Sequence, residues 1–158
     1  MFKTIVWATD GSEAADAALP YAKGLADGEG HKLVVVHSNE LLTGRAGGYP
    51  VYADEDELQT KIRHQADELR SGGLDVTVKI VTGSTHGAAH VVAEVARELD
   101  ADVIVVGTHG HTAIGGLLLG SVTQRLLHIT TCPVLAVPAS AERVDAAARE
   151  RETAGVTT

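Results

Sequence analysis

The stretch that decides the fold runs from Asp102 to Val137 and reads DVIVVGTHGHTAIGGLLLGSVTQRLLHITTCPVLAV. Its four consecutive apolar residues at 103–106 predict a buried strand, and the run at 133–137 predicts a second one. Between the two runs, apolar residues at helical spacing predict a short helix. A strand, a loop, a helix and a strand in this order are typical of an α/β fold with a parallel sheet.

The loop in this stretch has glycines where a ligand could lie against the backbone. Gly107 and Gly110 follow the first strand, and Gly120 and Ser121 come after nine further residues. Glycine has no Cβ, so it allows positive φ angles and close approach of a ligand. Ser121 lies at the start of the predicted helix, where unpaired N–H groups and the helix dipole favour an anion. We therefore predict a phosphate site, with the loop cradling the rest of a nucleotide.

The rest of the chain continues the alternation of strand and helix. Apolar patterns predict three more strands and three more helices: strands at 5–8, 33–36 and 76–80, and helices at about 13–27, 54–70 and 83–99. The connection at 39–53 is predicted to be a loop. Residues 139–158 are charged and alanine-rich, so they are predicted to be a frayed helix or a disordered tail beyond a single domain at 1–138. The order βαβαβαβαβ with right-handed crossovers predicts a doubly wound parallel sheet.

Three separate parts of the sequence are predicted to meet at one edge of this sheet. Ligands of doubly wound sheets bind outside the carboxyl ends of the strands, where the strand order reverses. The turn at Thr9 and Asp10, the exit of the second strand near Ser38 and the loop from Gly107 all follow carboxyl ends. The sequence therefore predicts a ligand site built from these three segments.

Composition limits the classes of partner. The formal net charge of −8 argues against nucleic acid or an anionic membrane as a partner. One anionic nucleotide is still compatible, because local N–H groups outweigh charges that salt screens beyond about 8–10 Å. No apolar run approaches the roughly 20 residues of a membrane span, and the first residues lead directly into a strand without a signal peptide. We therefore expect a cytoplasmic location.

With these residues in place, the chain resembles the universal stress protein family over nearly the whole predicted domain. The specific match is the pattern G-x2-G-x9-G-[ST], which is met by Gly107, Gly110, Gly120 and Ser121. Residues 8–12, with the sequence ATDGS, match the aspartate motif of the family's first turn. Each match alone is weak, but together and in order they are specific.

The resemblance implies a fold and a ligand. It implies an adenine nucleotide alpha hydrolase-like sheet of five strands in the order 3-2-1-4-5 with helices on both faces. It implies bound ATP, accompanied by Mg²⁺ or Mn²⁺ through its phosphates, and a homodimer that pairs through the last strand at Val134–Val137. The implied nucleotide site has eleven residues: Ala8, Thr9, Asp10, Ser38, Gly107, Thr108, Gly110, Gly120, Ser121, Val122 and Thr123.

The resemblance also implies a role for each part of this site. Asp10 would lie at the ribose or phosphates, Thr9 would offer backbone groups near the adenine, and Ser38 would line the adenine. Ser38 is more polar than the aliphatic residue usual there. The glycines would let the phosphates approach, and the first residues of the last helix would donate backbone and hydroxyl hydrogen bonds. The loop at 111–119 has no lysine or arginine, so phosphate binding would depend on these donors and a bound cation.

Three functions remain open from the sequence. The first is an ATP-binding regulatory protein of the stress response, which acts as a switch toward an unknown protein partner. The second is a slow ATPase or nucleotidyl-transfer enzyme, although no Walker sequence or G-x-S-x-G elbow is present. The third is a dimeric interaction module that binds no nucleotide.

Four histidines complete the list of candidate functional residues. His86 and His90 are four apart on one predicted helix, and His109 and His111 lie in the glycine loop. No further ligands occur at a recognisable spacing, so we interpret them as solvated or hydrogen-bonded rather than metal-binding. Because histidine titrates near neutral pH, they predict that ligand binding depends on pH near 6–7.

Overall fold

The computed structural model describes residues 2–39, 52–82, 84, 86–109 and 119–139, with the backbone alone at 52–54. Strands and helices alternate strictly over these residues. Their bounds are β1 Thr4–Ala8, α1 Glu13–Ala26, β2 Lys32–Asn39, α2 Tyr52–Ser71, β3 Val76–Thr82, α3 Ala88–Glu98, β4 Val103–Gly107, α4 Ser121–Ile129 and β5 Val134–Val137. Gly110, His111, most of the predicted 39–53 loop and nearly all of the predicted tail lie outside the described residues.

The five strands form one parallel sheet in the order β3-β2-β1-β4-β5. This confirms both the doubly wound sheet and the strand order that the resemblance implied. The central strand β1 pairs with β2 on one side and with β4 on the other, so the strand order reverses beside it. A cleft for a ligand is therefore expected where β1 and β4 end.

Two apolar layers cover the two faces of the sheet. Trp7 and Leu33 face α1 and α2 and pack with Ile62, whereas Val34 faces α3 and α4 and packs with Leu126. All five side chains are 0–1% exposed, and each contributes about 1.5–3 kcal/mol by its burial. Helices on both faces explain why β2 reads as a continuous apolar run. No helix in the described part of the chain is long and apolar enough to cross a membrane.

The start of α3 differs from the prediction. The helix begins at Ala88, not near residue 83, and Gly87 precedes it with a φ of +83°. A positive φ is incompatible with a right-handed helix, so the helix starts only after this glycine. Consequently, His86 lies before the helix while His90 lies on it, and the prediction that one helix carries both is wrong.

The first helix begins as predicted and fixes the turn before it. The Oγ atom of Ser12 accepts a hydrogen bond from the N–H of Ala15 at 3.2 Å, which is the usual N-cap arrangement. The helix continues through Pro20 to Ala26. Because α1 packs against β4, its capped end is held at the carboxyl edge of the sheet.

Candidate functional site

A cleft of about 370 Å³ opens at the carboxyl edge of the sheet. The ends of β1, β2 and β4 and the first turns of α2, α3 and α4 all contribute to its walls. Nine of the eleven predicted site residues line it: Ala8, Thr9, Asp10, Ser38, Gly107, Gly120, Ser121, Val122 and Thr123. The three segments that the sequence predicted to converge therefore meet in one cavity.

The two other predicted residues do not line the described cleft. Gly110 lies outside the described residues. Thr108 is buried behind the wall, where its carbonyl oxygen accepts a hydrogen bond from the N–H of Gly120 at 2.6 Å. This contact ties the end of β4 to the start of α4, so Thr108 supports the site from behind.

The start of α4 presents unpaired backbone donors to the cleft. Gly120 precedes the helix with extended backbone angles, φ −68° and ψ 160°, and no side chain caps it. The first hydrogen bond within the helix runs from the N–H of Gln124 to the carbonyl of Gly120 at 2.9 Å. Within the described part of the chain, the N–H groups of residues 121–123 have no partner. These donors and the positive end of the helix dipole favour an anion.

Thr123 uses its hydroxyl differently from what the resemblance implied. This side chain is 2% exposed, and its Oγ1 atom donates a hydrogen bond to the carbonyl of Gly107 at 2.8 Å. A hydroxyl has one hydrogen to donate, so the Thr123 hydroxyl fixes the first turn of α4 to β4. In this arrangement, Thr123 offers a ligand its backbone N–H.

Gly107 is required by packing of the protein against itself. A Cβ atom at this position would lie 2.4 Å from the carbonyl oxygen of Ala14 and 2.6 Å from its carbonyl carbon. Real Cβ atoms do not approach backbone so closely. The absence of a side chain at Gly107 therefore makes room for the first turn of α1. The sequence analysis had instead explained this glycine by the approach of the phosphates.

The Asp10 turn is held by local hydrogen bonds between residues that are two apart in the chain. The Oδ1 atom of Asp10 accepts from the N–H of Ser12 at 3.0 Å and from its hydroxyl at 2.5 Å. The N–H of Gly11 donates to Oγ1 of Thr9 at 3.0 Å. Gly11 has a φ of +75°, which strains any residue with a Cβ, and a Cβ there would also displace the Leu58 side chain of α2, so glycine is favoured at this turn. The turn holds Asp10 at the cleft wall.

The backbone groups of Thr9 and Ser38 differ in their availability to a ligand in the cleft. The N–H of Thr9 donates to the carbonyl of Val36 at 3.0 Å, so it is not available to an adenine as the resemblance implied. Peptide groups along a strand alternate in direction, so those of Ser38 point the same way as those of Val36. Since β1 ends at Ala8, opposite Val36, the Ser38 groups point past that end into the cleft.

Two residues that sequence reasoning missed lie in the same wall. His37 is 4% exposed; its Nδ1 atom is 2.9 Å from the Thr9 carbonyl and its Nε2 atom is 3.0 Å from Oε1 of Glu55. Gln59 donates to the same Glu55 oxygen at 2.9 Å. A histidine at the end of an apolar strand was the available signal for His37. No local pattern marks Glu55, because it reaches the cleft only through the packing of α2.

The comparison with protein families identifies the family of this chain. The model of the universal stress protein family matches residues 1–138, which is most of the chain. The chain belongs to the universal stress protein family. The resemblance seen in the sequence is thereby confirmed at the level of the family.

Individual universal stress proteins are similar over nearly their whole length. A universal stress protein of Thermus aquaticus is 34% identical over 143 residues, which cover 87% of this chain and 99% of the relative. The solved structure of protein MJ0577, a universal stress protein of Methanocaldococcus jannaschii, has a TM-score of 0.67 at 29% identity and covers 87% of this chain and 96% of its own. A universal stress protein crystallised in complex with cAMP has a TM-score of 0.62 at 27% identity, covering 88% of this chain and 98% of its own.

Charged groups around the cleft are few in this universal stress protein. Among the described residues that line it, none is a lysine or arginine, and the titratable ones are Asp10, His37, Glu55 and His109. Lys61 of α2 is not among the lining residues; it donates to the Gly11 carbonyl at 2.9 Å and pairs with Asp16 at 2.6 Å. Among the described residues that line the cleft, the donors available to an anion are therefore mainly backbone N–H groups.

The described histidines lie in different parts of the structure. The described residues contain no group of three or more histidine, cysteine, aspartate or glutamate side chains that could hold a metal ion. His86 and His90 have ring centroids 5.9 Å apart at a tilt of 50° and line a separate cavity of about 340 Å³. His109 lies at the cleft with its Nδ1 3.0 Å from the Thr108 hydroxyl.

Proposed function

We propose that this universal stress protein binds ATP in the cleft and acts as a nucleotide-dependent regulator. The observation that carries the proposal is the set of backbone N–H groups at 121–123, which open into the cleft at the positive end of α4. Uncharged donors at a helix start bind phosphate without needing basic side chains. The negative net charge of the chain is therefore compatible with an anionic ligand.

The shape of the cleft supports one orientation of the nucleotide. The phosphates would lie at the start of α4, and the base would lie on the apolar surface of Val36, Val92 and Val106. The Ser38 peptide groups would pair with the edge of the base, and Asp10 would contact the ribose or the phosphates. Mg²⁺ or Mn²⁺ would enter with the phosphates. The similar universal stress protein that was crystallised with cAMP supports an adenine nucleotide.

Substitution of Ser121 tests the role of the backbone donors. Proline is tolerated at the first position of a helix, and Gly120 before it already has the extended angles that proline requires. Ser121→Pro therefore removes one N–H with little damage to the helix, whereas Ser121→Ala removes only the hydroxyl. A hydrogen bond to a charged group contributes about 1.5–3 kcal/mol, so we expect Ser121→Pro to weaken Mg-ATP binding about tenfold or more.

Calorimetric titration with Mg-ATP measures this difference, and thermal unfolding provides a second readout. Ligand at about 100 times its Kd stabilises a protein by roughly 2.7 kcal/mol, so the wild-type Tm should rise with millimolar Mg-ATP. The nucleotide that is released when freshly purified protein is denatured identifies the natural ligand. An unchanged Tm together with no heat of binding would contradict the proposal.

Hydrolysis is expected to be slow at best. Phosphoryl transfer needs positive charge at the developing phosphate oxygens, and the described cleft lining contains no lysine or arginine to supply it. The enzyme alternative would be favoured by ATP turnover that Asp10→Ala or Ser121→Ala abolishes. The regulatory alternative predicts binding of ATP without such turnover.

We also propose that two copies pair through β5. This strand is the last of the sheet, so one of its sides has no neighbouring strand in the described structure. Leu135 on β5 is 36% exposed, so apolar surface lies at that open edge. Exposed strand edges are natural sites for pairing with another chain. The stress signal, the protein partner and the cytoplasmic location stay predictions.

A further inference from the structure

His37 is a buried histidine whose ring is held between two hydrogen-bond acceptors. Its Nδ1 atom is 2.9 Å from the carbonyl oxygen of Thr9, and a carbonyl oxygen can only accept. Nδ1 must therefore carry a hydrogen. A neutral imidazole with its hydrogen on Nδ1 has only a lone pair on Nε2.

The second contact of the ring needs another proton. Nε2 is 3.0 Å from Oε1 of Glu55, and an ionised carboxylate can only accept. Two lone pairs at this distance would repel, so a proton must lie between the two atoms. Whether it stays on Nε2 or moves to Glu55, the pair holds one proton more than a neutral histidine and an ionised glutamate. The Gln59 amide, which donates to the same Oε1 at 2.9 Å, favours the form with the charge on the carboxylate.

We propose that this proton makes His37 and Glu55 positioning residues for the nucleotide, and that its loss weakens binding. The inference depends on the proposed function, because the residues they position line the same cleft. Through Nδ1, the ring holds the Thr9 carbonyl; through Nε2, it holds the first turns of α2. One turn further along α2, Leu58 lies against Gly11 in the Asp10 turn. The protonated pair thus joins the wall that includes Thr9, at the end of β1, to the wall that α2 forms.

Loss of the proton to solvent would open this connection. A lone pair on Nε2 would then face the Glu55 carboxylate, and the side chain of Glu55 would move away toward water. The start of α2 would lose its link to β2, and the wall that includes Leu58 would loosen. Since binding must then reorder this wall, the affinity for Mg-ATP should fall as the pH rises.

Other charged groups near the ring do not replace Glu55. Of the other titratable residues that line the cleft, Asp10 engages Ser12 through Oδ1, and His109 lies beside the Thr108 hydroxyl. Lys61 of α2 is engaged with the Gly11 carbonyl and Asp16. On β2 the neighbours of His37 are uncharged, and its partner on β3 is the apolar Ile80. Glu55 is the charged side chain that the described structure places in hydrogen-bond contact with the ring.

Substitution of Glu55→Gln separates the proton from the contact. The amide can donate to Nε2 of a neutral imidazole, so the variant keeps the connection without the extra proton. The matched control is Glu57→Gln, which makes the same change at an exposed position of α2 outside the cleft lining. Mg-ATP binding is measured by calorimetry from pH 5.5 to 9 for the wild type and both variants. ATP also changes its protonation over this pH range, but this change is the same for all three proteins and cancels when their profiles are compared.

We expect the wild type and Glu57→Gln to lose affinity about fivefold or more across this range, since one coupled proton allows up to about tenfold per pH unit. Glu55→Gln should lose clearly less and should bind more tightly than the wild type at the alkaline end. A Glu55→Gln profile that superposes on that of the wild type would overturn the inference.

A second measurement does not need the nucleotide. Nitrogen chemical shifts of histidine-labelled protein report whether each ring nitrogen carries a hydrogen. We expect His37 in the wild type to carry a hydrogen on Nδ1 and to share a second proton at Nε2 with Glu55, whereas the ring of Glu55→Gln should carry a hydrogen on Nδ1 alone. An Nε2 that never interacts with a proton between pH 5.5 and 9 would overturn the inference. If no protein binds Mg-ATP at any pH, the proposed function fails, and the nitrogen shifts alone decide the protonation of the pair.

Discussion

At the scale of single residues, the cleft contains a hydroxyl that the folded protein does not use. The Oγ atom of Ser38 is buried and has no hydrogen-bond partner among the described residues. A buried polar group without a partner costs about 1–3 kcal/mol, so Ser38→Ala should raise the free energy of unfolding by about 1 kcal/mol. Mg-ATP affinity should stay within about twofold, because the base is proposed to contact the backbone of Ser38. Urea unfolding without ligand and calorimetry with Mg-ATP measure the two effects.

Ser12→Ala is the matched control for this change, because it removes a hydroxyl that caps α1. Loss of such a cap costs about 0.5–2 kcal/mol, so the two serine substitutions should shift stability in opposite directions. Equal destabilisation by both would contradict the assignment for Ser38.

The comparison also shows what a sequence can predict at this scale. The cap at Ser12 follows from local residue order, whereas the surroundings of Ser38 and the backbone clash that requires glycine at 107 depend on distant segments.

At the scale of whole elements, the amino edge of the sheet is held by a contact between β1 and β4. The Oδ2 atom of Asp102, just before β4, accepts hydrogen bonds from the N–H groups of Lys3 and Thr4 at 2.8 and 2.9 Å. The backbone N–H of Thr4, then that of Lys3, lowers the pKa of this carboxyl below its ordinary value. A pKa lowered by folding adds stability above the unfolded value, and this stability is lost as the pH falls through the folded value.

Asp102→Asn should therefore lower the Tm at pH 7, and the difference from the wild type should shrink below about pH 4. Thermal unfolding at pH 7 and pH 3 measures this directly. Asp75→Asn is the control, because Asp75 is an exposed aspartate before β3 near the same edge of the sheet. Its Tm should follow that of the wild type at both pH values. If the Tm of Asp102→Asn stayed equally far below that of the wild type at pH 3, the shape of the side chain and not its charge would be responsible.

The elements also differ in how well their bounds could be predicted. The apolar run of β4 and the stripe of α4 were located within about one residue, because burial leaves a periodic pattern in the sequence. The start of α3 was misplaced by five residues, since Ser84 and Thr85 look like ordinary helix caps. What moves the start is the positive φ of Gly87, and a glycine in sequence does not reveal the sign of its φ. The helical spacing of His86 and His90 failed for the same reason.

At the scale of the whole molecule, the sheet order was predictable, whereas the walls of the cleft were only partly so. Nine of the predicted site residues meet because every βα connection returns to the same edge. The position of Glu55 depends on how α2 lies over the sheet, and no repeating pattern in the sequence encodes it. The contribution of α2 to the cleft, through Glu55 and Leu58, is therefore the part of the site that required the structure.

The unpaired edge of β5 allows a prediction about how one substitution changes the stability of the proposed dimer. The carbonyls of Pro133 and Val137 bond to β4, so the alternating peptide groups of Val134 and Ala136 point to the unpaired side. Ala136→Pro therefore removes an outward N–H and leaves the β4 ladder intact, as proline on an edge strand does. Across a two-fold axis the change removes two hydrogen bonds of about 0.5–1.5 kcal/mol each, so dimers should weaken about tenfold.

Sedimentation equilibrium over a range of protein concentrations measures the dimer constant, with Ala136→Ser as the control that keeps the N–H. A wild-type chain that stays monomeric at about 100 μM, a concentration where a micromolar dimer would be nearly complete, would contradict the proposed pairing. An Ala136→Pro dimer as tight as that of the wild type would place the interface elsewhere.

The cleft lies at the carboxyl edge, whereas the unpaired side of β5 lies at the lateral edge, so pairing through β5 would leave the nucleotide site open. We therefore expect Ala136→Pro to change assembly without changing the affinity for Mg-ATP.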